Sequence, residues 1–236
     1  MTYLESKKSL CRKLNIDYDT VMAGSDNLFS MDDLNDYINL AALEVWDYAR
    51  WIFTEKAYTV TGGTVASQEY YDYPDDFQSD SIFLLRVEDE NGDIKTYKKI
   101  RYTDYMQYRE NYDEGEEKLW ADHNRSYFIN PNAWDNIAGR DIEVWGRIVM
   151  TTMTDSTTPM PFSPNTDNDE NSGNHAIVKL AYSFALNSEK KNQAQQGIIV
   201  RQEAYQMIEI LAKREREDQA DYEVYDTPQF KYKKLF

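Results

Sequence analysis

The sequence predicts an α+β fold: a helical bundle of N- and C-terminal helices, a strand-rich insertion of hairpin or β-sandwich type between them, and an extended C-terminal tail. Three observations lead there. An apolar stripe of helical period runs from Leu34 to Ile52. From Ala57 to Met150, short β-branched and aromatic runs alternate with glycine turns, among them Asn91-Gly92. Helical period returns at His175 and gives out before an aromatic, proline-containing end.

Composition bounds the rest. The chain has 236 residues, enough for one domain with an insertion or for two small domains. Leu, Ile, Val and Phe are 48 of them, against a formal net charge of −16, which brings the chain near the composition at which folding fails. The 19 Tyr and 5 Trp supply the missing buriable surface, and they tolerate a wet edge. A modest core with aromatics at its boundary or at interfaces is expected. The longest apolar runs, Ile82–Leu85 and Ile198–Val200, fall far short of the roughly 20 residues of a membrane helix, so no membrane partner is expected. Residues 1–14 carry Lys7, Lys8, Arg12 and Lys13 but no apolar segment, so no signal peptide is expected. The single cysteine, Cys11, has no partner for an intrachain disulfide, which suits assembly in a reducing compartment. The charge of −16 argues against wrapping DNA, but it suits a surface past which DNA slides without sticking.

In chain order, residues 1–56 are expected to supply the first bundle helices. Residues 3–14 place Leu4, Leu10, Cys11 and Leu14 inward, and Asp17–Asn27 reads as loop. Ser30 with Asp33 forms an acidic variant of the capping box. A helix from Met31 to Phe53 follows, about 35 Å long at roughly 1.5 Å per residue. Its inward residues are Leu34, Tyr37, Ile38, Ala41, Val45, Tyr48, Ala49 and Ile52, with Trp46 and Trp51 widening the face. Residues 57–150 form the strand-rich insertion. Ala57–Thr61 and Thr64–Tyr71 read as strands joined at Gly62-Gly63, and Ser81–Glu88 and Ile94–Tyr102 as a hairpin at Asn91-Gly92. A short helix is expected at Thr103–Tyr108, a charged loop at Asn111–Lys118, and strands at Tyr127–Asn130 and Asp141–Met150. Residues 151–174, rich in Thr, Ser, Asn and Pro, read as a flexible loop or arm. Residues 175–221 return to the bundle, first at His175–Glu189 and then at Gln193–Gln219, with Lys213–Asp221 a charged spacer that projects into solvent or lies on a partner. Residues 222–236 form the tail.

The catalytic inventory is thin. There are two histidines, His123 and His175, and no metal-protease, Cys-x-x-Cys, phosphate-loop or nucleophile-elbow motif. No catalytic residue, metal or cofactor is expected. Cys11 reads as a buried structural cysteine rather than a nucleophile. Asp167, Asp169 and Asn171 match the first ligand positions of a calcium loop, but Ser172 stands where glycine is needed and Val178 where a bidentate Glu is needed, so an acidic linker is the better reading. Residues 69–93 hold nine acids against Arg86 alone. These suit a solvated acidic face that repels DNA or meets a basic partner, or, as an alternative, paired carboxylates for glycoside hydrolysis.

The tail carries the strongest functional signal. Tyr222, Tyr225, Phe230, Tyr232 and Phe236 alternate with charges, including Lys231, Lys233 and Lys234. Such an apolar end is unfavourable when solvated, and aromatics anchor interfaces, so these eight residues are the candidate partner-binding set.

The layout resembles a known family. "LNDYINLAALEVWDYARW" (Leu34–Trp51), "YTVTGGTVASQEYYDYP" (Tyr58–Pro74), the hairpin, the strand "SYFINP", the polar loop and the final long helix together resemble the head–tail adaptor, or connector, proteins of short-tailed phages. Ring proteins of crAss-like phages are similar in size and acidity. Residues 1–27 and the large β block depart from the smaller members. The resemblance implies a non-enzymatic virion protein at the head–tail junction, assembled in the host cytoplasm. It implies a twelvefold ring beneath the portal, tails inserted into or along the portal protein, contacts with other tail or ring proteins, and DNA passing nearby. The alternative from another class is an aromatic-rich glycan-binding or glycan-cleaving virion module.

Overall fold

A computed structural model describes residues 1–65, 68–89, 91–111, 118–129, 138–163 and 169–226. The chain divides into two compact units: Met1–Phe53 with Met150–Phe236, and Thr54–Val149.

The first unit is helical. Helix α1 (Tyr3–Leu14) starts in a capping box of Thr2 with Glu5 and stops at Asn15, which takes the left-handed conformation at φ 57°. A short α2 (Tyr18–Met22) lies inside the segment read as loop: the Asp17 carboxylate accepts the Thr20 N–H, and Val21 is buried. Five residues are too few to show a helical period, which is why the sequence hid it.

Helix α3 (Met31–Tyr48) opens on the expected box, with Ser30 Oγ accepting the Asp33 N–H at 3.2 Å and the Asp33 carboxylate accepting the Ser30 N–H at 2.7 Å. Lys190 closes on the same carboxylate at 2.5 Å. Burial opposes ionisation of Asp33, but the Lys190 and Ser30 donors outweigh it and hold the carboxyl below its ordinary value. A depressed folded-state pKa gives stability that is complete above the unfolded carboxylate range and lost as pH falls through the folded value. Asp33→Asn is therefore expected to lower Tm at pH 7, by the equivalent of about 1 kcal/mol for a cap, and to have little effect in acid. Thermal melts at both pH values check this.

The expected helix end at Phe53 is corrected. Ala49 turns extended (φ −144°, ψ 166°), and the Trp51 indole folds back to donate to the Val45 carbonyl at 2.8 Å. Trp51 is thereby buried against Phe53 and Phe162, while Tyr48 and Ile52, assigned inward, are 40% and 44% exposed. One indole capping the last turn replaces one more turn of helix.

Helices α5 (Asp169–Asn187) and α6 (Ala194–Asp226) complete the unit. Helix α5 packs against α6, α3 and α1. The core joins Leu10, Cys11 and Leu14 to Leu34, Ile38, Ala41 and Val45, and these to Ile177, Leu180, Ala181, Ala204 and Ile208. Burial, with Asp17 and Asp26 adding to it, pushes the Cys11 thiol up to about 11, so the cysteine is a packing residue.

Residues 151–163, read as a free loop or arm, are tied down within the unit. Thr2 and Pro159 form an antiparallel bridge, Tyr3 N–H donates to the Thr158 carbonyl at 2.8 Å, and Met153, Met160 and Phe162 are buried. Asn39 of α3 clamps this segment, donating to the Met153 carbonyl (3.1 Å) and accepting the Met153 N–H (2.8 Å). The scattered Met and Phe anchors and one asparagine hold the segment with no period for the sequence to display. Helix α5 also begins earlier than His175, at Asp169.

The second unit is a seven-stranded sheet with helix α4 (Tyr102–Asn111). The strands are β1 (Glu55–Val60), β2 (Tyr70–Asp72), β3 (Leu84–Glu88), β4 (Ile94–Lys99), β5 (Leu119–His123), β6 (Ser126–Ile129) and β7 (Ile142–Arg147), in the order β1-β7-β3-β4-β5-β6-β2. The β3–β4 hairpin across Asn91-Gly92 forms as expected, Leu85 opposite Tyr97. On β7, Ile142 and Val144 are buried and alternate with half-buried Glu143 and Trp145.

The hairpin assigned at Gly62-Gly63 does not form. Strand β1 pairs with β7 (Tyr58 opposite Val144), and β2 pairs with β6 (Tyr71 opposite Tyr127). The turn itself is real: Gly62 sits at φ +60° and the Gly63 N–H reaches the Val60 carbonyl. The chain beyond it bonds Arg140 and Gly139 through Thr64 instead of returning along β1. Long-range pairing with an apolar strand decides the register, and a local turn signal cannot reveal that.

This unit's core is aromatic: Tyr71, Tyr73, Phe77, Tyr97, Trp120 and Tyr127 with Leu85, Val87, Ile142 and Val144. The Tyr127 hydroxyl is buried without a hydrogen-bond partner among the described residues. An unmade buried hydrogen bond costs about 1–3 kcal/mol. Tyr127→Phe is accordingly expected to leave Tm unchanged or raise it by a few degrees, and a lowered Tm in a differential scanning melt contradicts that.

Candidate interaction surfaces

Among the described residues no group of three or more His, Cys, Asp or Glu side chains is placed to hold a metal ion. His123 stacks on Tyr102 at 4.4 Å, and His175 lies exposed on α5. Of the calcium-like triplet, Asp169 and Asn171 fall in the first turn of α5, and Asp167 lies outside the described residues. A helix start cannot wrap a cation as a loop does. Calcium titration is expected to leave Tm unchanged; a rise of several degrees contradicts this.

Several acids of 69–93 are engaged in structure. Glu69 pairs with Arg109 at 3.0 Å, Asp76 with Lys56 at 2.6 Å, and Asp89 accepts the Asn91 and Asp93 N–H groups of the hairpin turn. A cavity of ≈ 360 Å³ on the second unit gathers Glu88, Asp141 and Glu143 around Arg86. There Glu143 accepts the Trp145 indole N–H at 3.0 Å and faces Arg86 at 3.6 Å, and Asp141 accepts the Gly62 N–H at 2.7 Å. These carboxylates are held by donors in folded structure and do not form an acid–base pair poised for hydrolysis.

The candidate partner-binding residues divide by position. Helix α6 runs through Asp226, so Tyr222 and Tyr225, assigned to an extended tail from 222, lie on helical backbone. Phe230, Lys231, Tyr232, Lys233, Lys234 and Phe236 lie outside the described residues. The helix is anchored where it packs, with Ala204, Ile208, Leu211 and Ala212 buried. At the start of the charged run, Lys213 pairs with Glu209 one turn back on the same helix at 2.9 Å, and Glu215 accepts the Ile52 N–H. The helix continues because Lys, Arg and Glu are good helix formers.

The structure adds surfaces that the sequence reading missed. Leu40 and Leu43 on α3, Ile198, Ile199 and Ile210 on α6, and Met22 on α2 are each 45% exposed or more. Only the burial of their neighbours distinguishes them from core residues of the same type. Large exposed aliphatics of this kind mark contact surfaces when they cluster. No described helix is long and apolar enough to cross a membrane.

Exposed aliphatic side chains on α2, α3 and α6 are the surface feature that the described residues offer for contact with other proteins. The family model described as SU10 adaptor protein matches residues 1–228, and the chain belongs to that family. No curated protein matches it. The chain is thus a structural phage protein, a head–tail adaptor and not an enzyme, that acts in the virion at the head–tail junction through contacts with other head and tail proteins. The match ends before Phe230, so the lysine–aromatic end of the candidate set lies beyond it.

Proposed function

We propose that this chain is a subunit of a twelvefold ring that connects the portal to the tail and surrounds the DNA channel, with residues 222–236 docking on the portal protein. Membership of the adaptor family carries the reading. Two features support it. The net charge of −16 keeps passing DNA from adhering. Helix α6, 33 residues from Ala194 to Asp226, leads from the bundle core directly to the aromatic–lysine segment. Assembly takes place in the host cytoplasm, where the single buried Cys11 stays reduced. The portal protein of the same phage, immobilised and exposed to the purified chain, is the test. Saturable binding to portal and none to a saccharide array is expected; glycan binding without portal binding overturns the reading in favour of a glycan-binding module.

A further inference from the structure

The tip of the β3–β4 hairpin holds the one Asn-Gly pair of the sequence, Asn91-Gly92. Both residues are exposed, and among the described residues the Asn91 side-chain amide makes no hydrogen bond. The turn is built on Asp89 instead. The Asp89 carboxylate accepts the N–H groups of Asn91 and Asp93, each at 2.9 Å. The Asp89 carbonyl accepts the Gly92 N–H at 3.1 Å, and the Asp89 N–H donates to the Asp93 carbonyl at 2.8 Å. Gly92 takes φ +84°, a conformation in which a β-carbon is strained. Without a β-carbon, the Gly92 amide nitrogen is not shielded from the side chain that precedes it.

These features set up an intramolecular reaction. The Gly92 nitrogen and Asn91 Cγ belong to adjacent residues, so ring closure between them needs no encounter. We propose that Asn91 is a site of spontaneous covalent modification in the folded chain, deamidating and isomerising through a succinimide. The Gly92 nitrogen attacks Asn91 Cγ. The N–Cγ bond forms, the Cγ–Nδ2 bond breaks, and Nδ2 leaves as ammonia with the proton from the Gly92 N–H. Water then opens the ring. Addition at Cγ leaves aspartate on an unchanged backbone. Addition at the Asn91 main-chain carbonyl carbon leaves isoaspartate, whose backbone runs through Cβ and Cγ. One water is consumed and one ammonia released, with no change of oxidation state.

The hairpin sets both the rate and the consequence. The Gly92 N–H must leave the Asp89 carbonyl before the nitrogen attacks, so the folded turn reacts more slowly than a free peptide. Local opening of an exposed hairpin tip keeps the reaction available. The new carboxylate stands between Asp89 and Asp93, which already share Lys95 at 3.3 and 3.1 Å. Isoaspartate also lengthens the backbone by one carbon, which displaces the N–H groups that Asp89 holds. Gly92 and Ile94 line the cavity with Glu88, Asp141 and Glu143, so the altered turn reshapes its rim. A structural virion protein is not replaced after assembly, so the change accumulates with the age of the particle. The inference does not depend on the ring reading.

The test incubates the purified full chain in mildly alkaline buffer beside a synthetic peptide of residues 87–95. Peptide mapping by mass spectrometry is expected to show a gain of about 1 Da at Asn91, where an amide becomes a carboxylate. Enzymatic methylation should detect isoaspartate at the same residue, formed severalfold more slowly than in the peptide. Hydrogen exchange at 91–93 is expected to be faster in the converted chain. Asn91→Gln, whose longer side chain closes a larger ring far more slowly, should melt like wild type and show no conversion at 91. Asn91 intact once the peptide has fully converted overturns the site, as does conversion no faster there than at exposed Asn124 and Asn192. Unchanged exchange at 91–93 after conversion overturns the loosening of the turn.

Discussion

Ile38→Asp is expected to unfold the helical unit. Ile38 is fully buried at the centre of α3, among residues of α1 and α5. Deleting a buried aliphatic side chain costs about 2–5 kcal/mol in lost transfer and cavity terms. The carboxylate that replaces it is buried among the apolar side chains of the helical core, which adds several kcal/mol more. The sum is comparable to the whole stability of a typical domain, about 5–15 kcal/mol. Circular dichroism should show loss of most helical signal at 25 °C, and Val45→Asp should behave alike. Ile38→Val, which removes one methylene, should cost only about 0.5–1.5 kcal/mol. Leu40→Asp, two residues along but exposed, should change stability by no more than about 0.5 kcal/mol. A folded Ile38→Asp protein with unchanged Tm contradicts the core assignment.

The second large effect concerns the end of the chain. A chain ending at Asp226, where the described helix stops, is expected to melt like the full protein and to lose portal binding. Among the described side chains of α6, the buried residues up to Leu211 and Ala212 and the Glu215 contact to Ile52 all precede this cut. What is removed is Phe230, Tyr232, Leu235 and Phe236 with Lys231, Lys233 and Lys234. Each large apolar side chain buried at an interface contributes about 1.5–3 kcal/mol, less the entropy of ordering the segment. Loss of several takes affinity down by three orders of magnitude or more, at about 1.4 kcal/mol per tenfold. Replacing only the three lysines with Gln should slow association and flatten its dependence on salt, with a smaller loss of affinity. Undiminished portal binding by the shortened chain removes the tail from the proposed docking set.

Much of the fold was legible, for identifiable reasons. The Ser30–Asp33 capping box and the Leu34–Val45 stripe are short-range signals, and α3 starts where they place it. Asn91-Gly92 specifies its own turn, and the β3–β4 hairpin follows. What was not legible depends on partners distant in sequence. Trp51 ends α3 by reaching the Val45 carbonyl, a choice made by the pocket that Phe53 and Phe162 provide. Strand β1 finds β7 more than eighty residues on, although Gly62-Gly63 promised a local hairpin. Strand β5 was hidden altogether, since its five residues Leu119–His123 follow a charged loop and show no clean alternation. The proposed docking segment was legible only as composition, from its aromatics and lysines, while Leu40 and Leu43 of α3 are of the same type as core residues and needed the structure to show them exposed.

The central claim, that the chain joins the portal as a ring, is tested most directly by the native mass of the complex assembled from purified portal and this chain. A discrete species with twelve copies of the 27.8 kDa chain on each portal is expected. Portal recovered at its own mass, with the chain remaining monomeric beside it at saturating concentration, would contradict it.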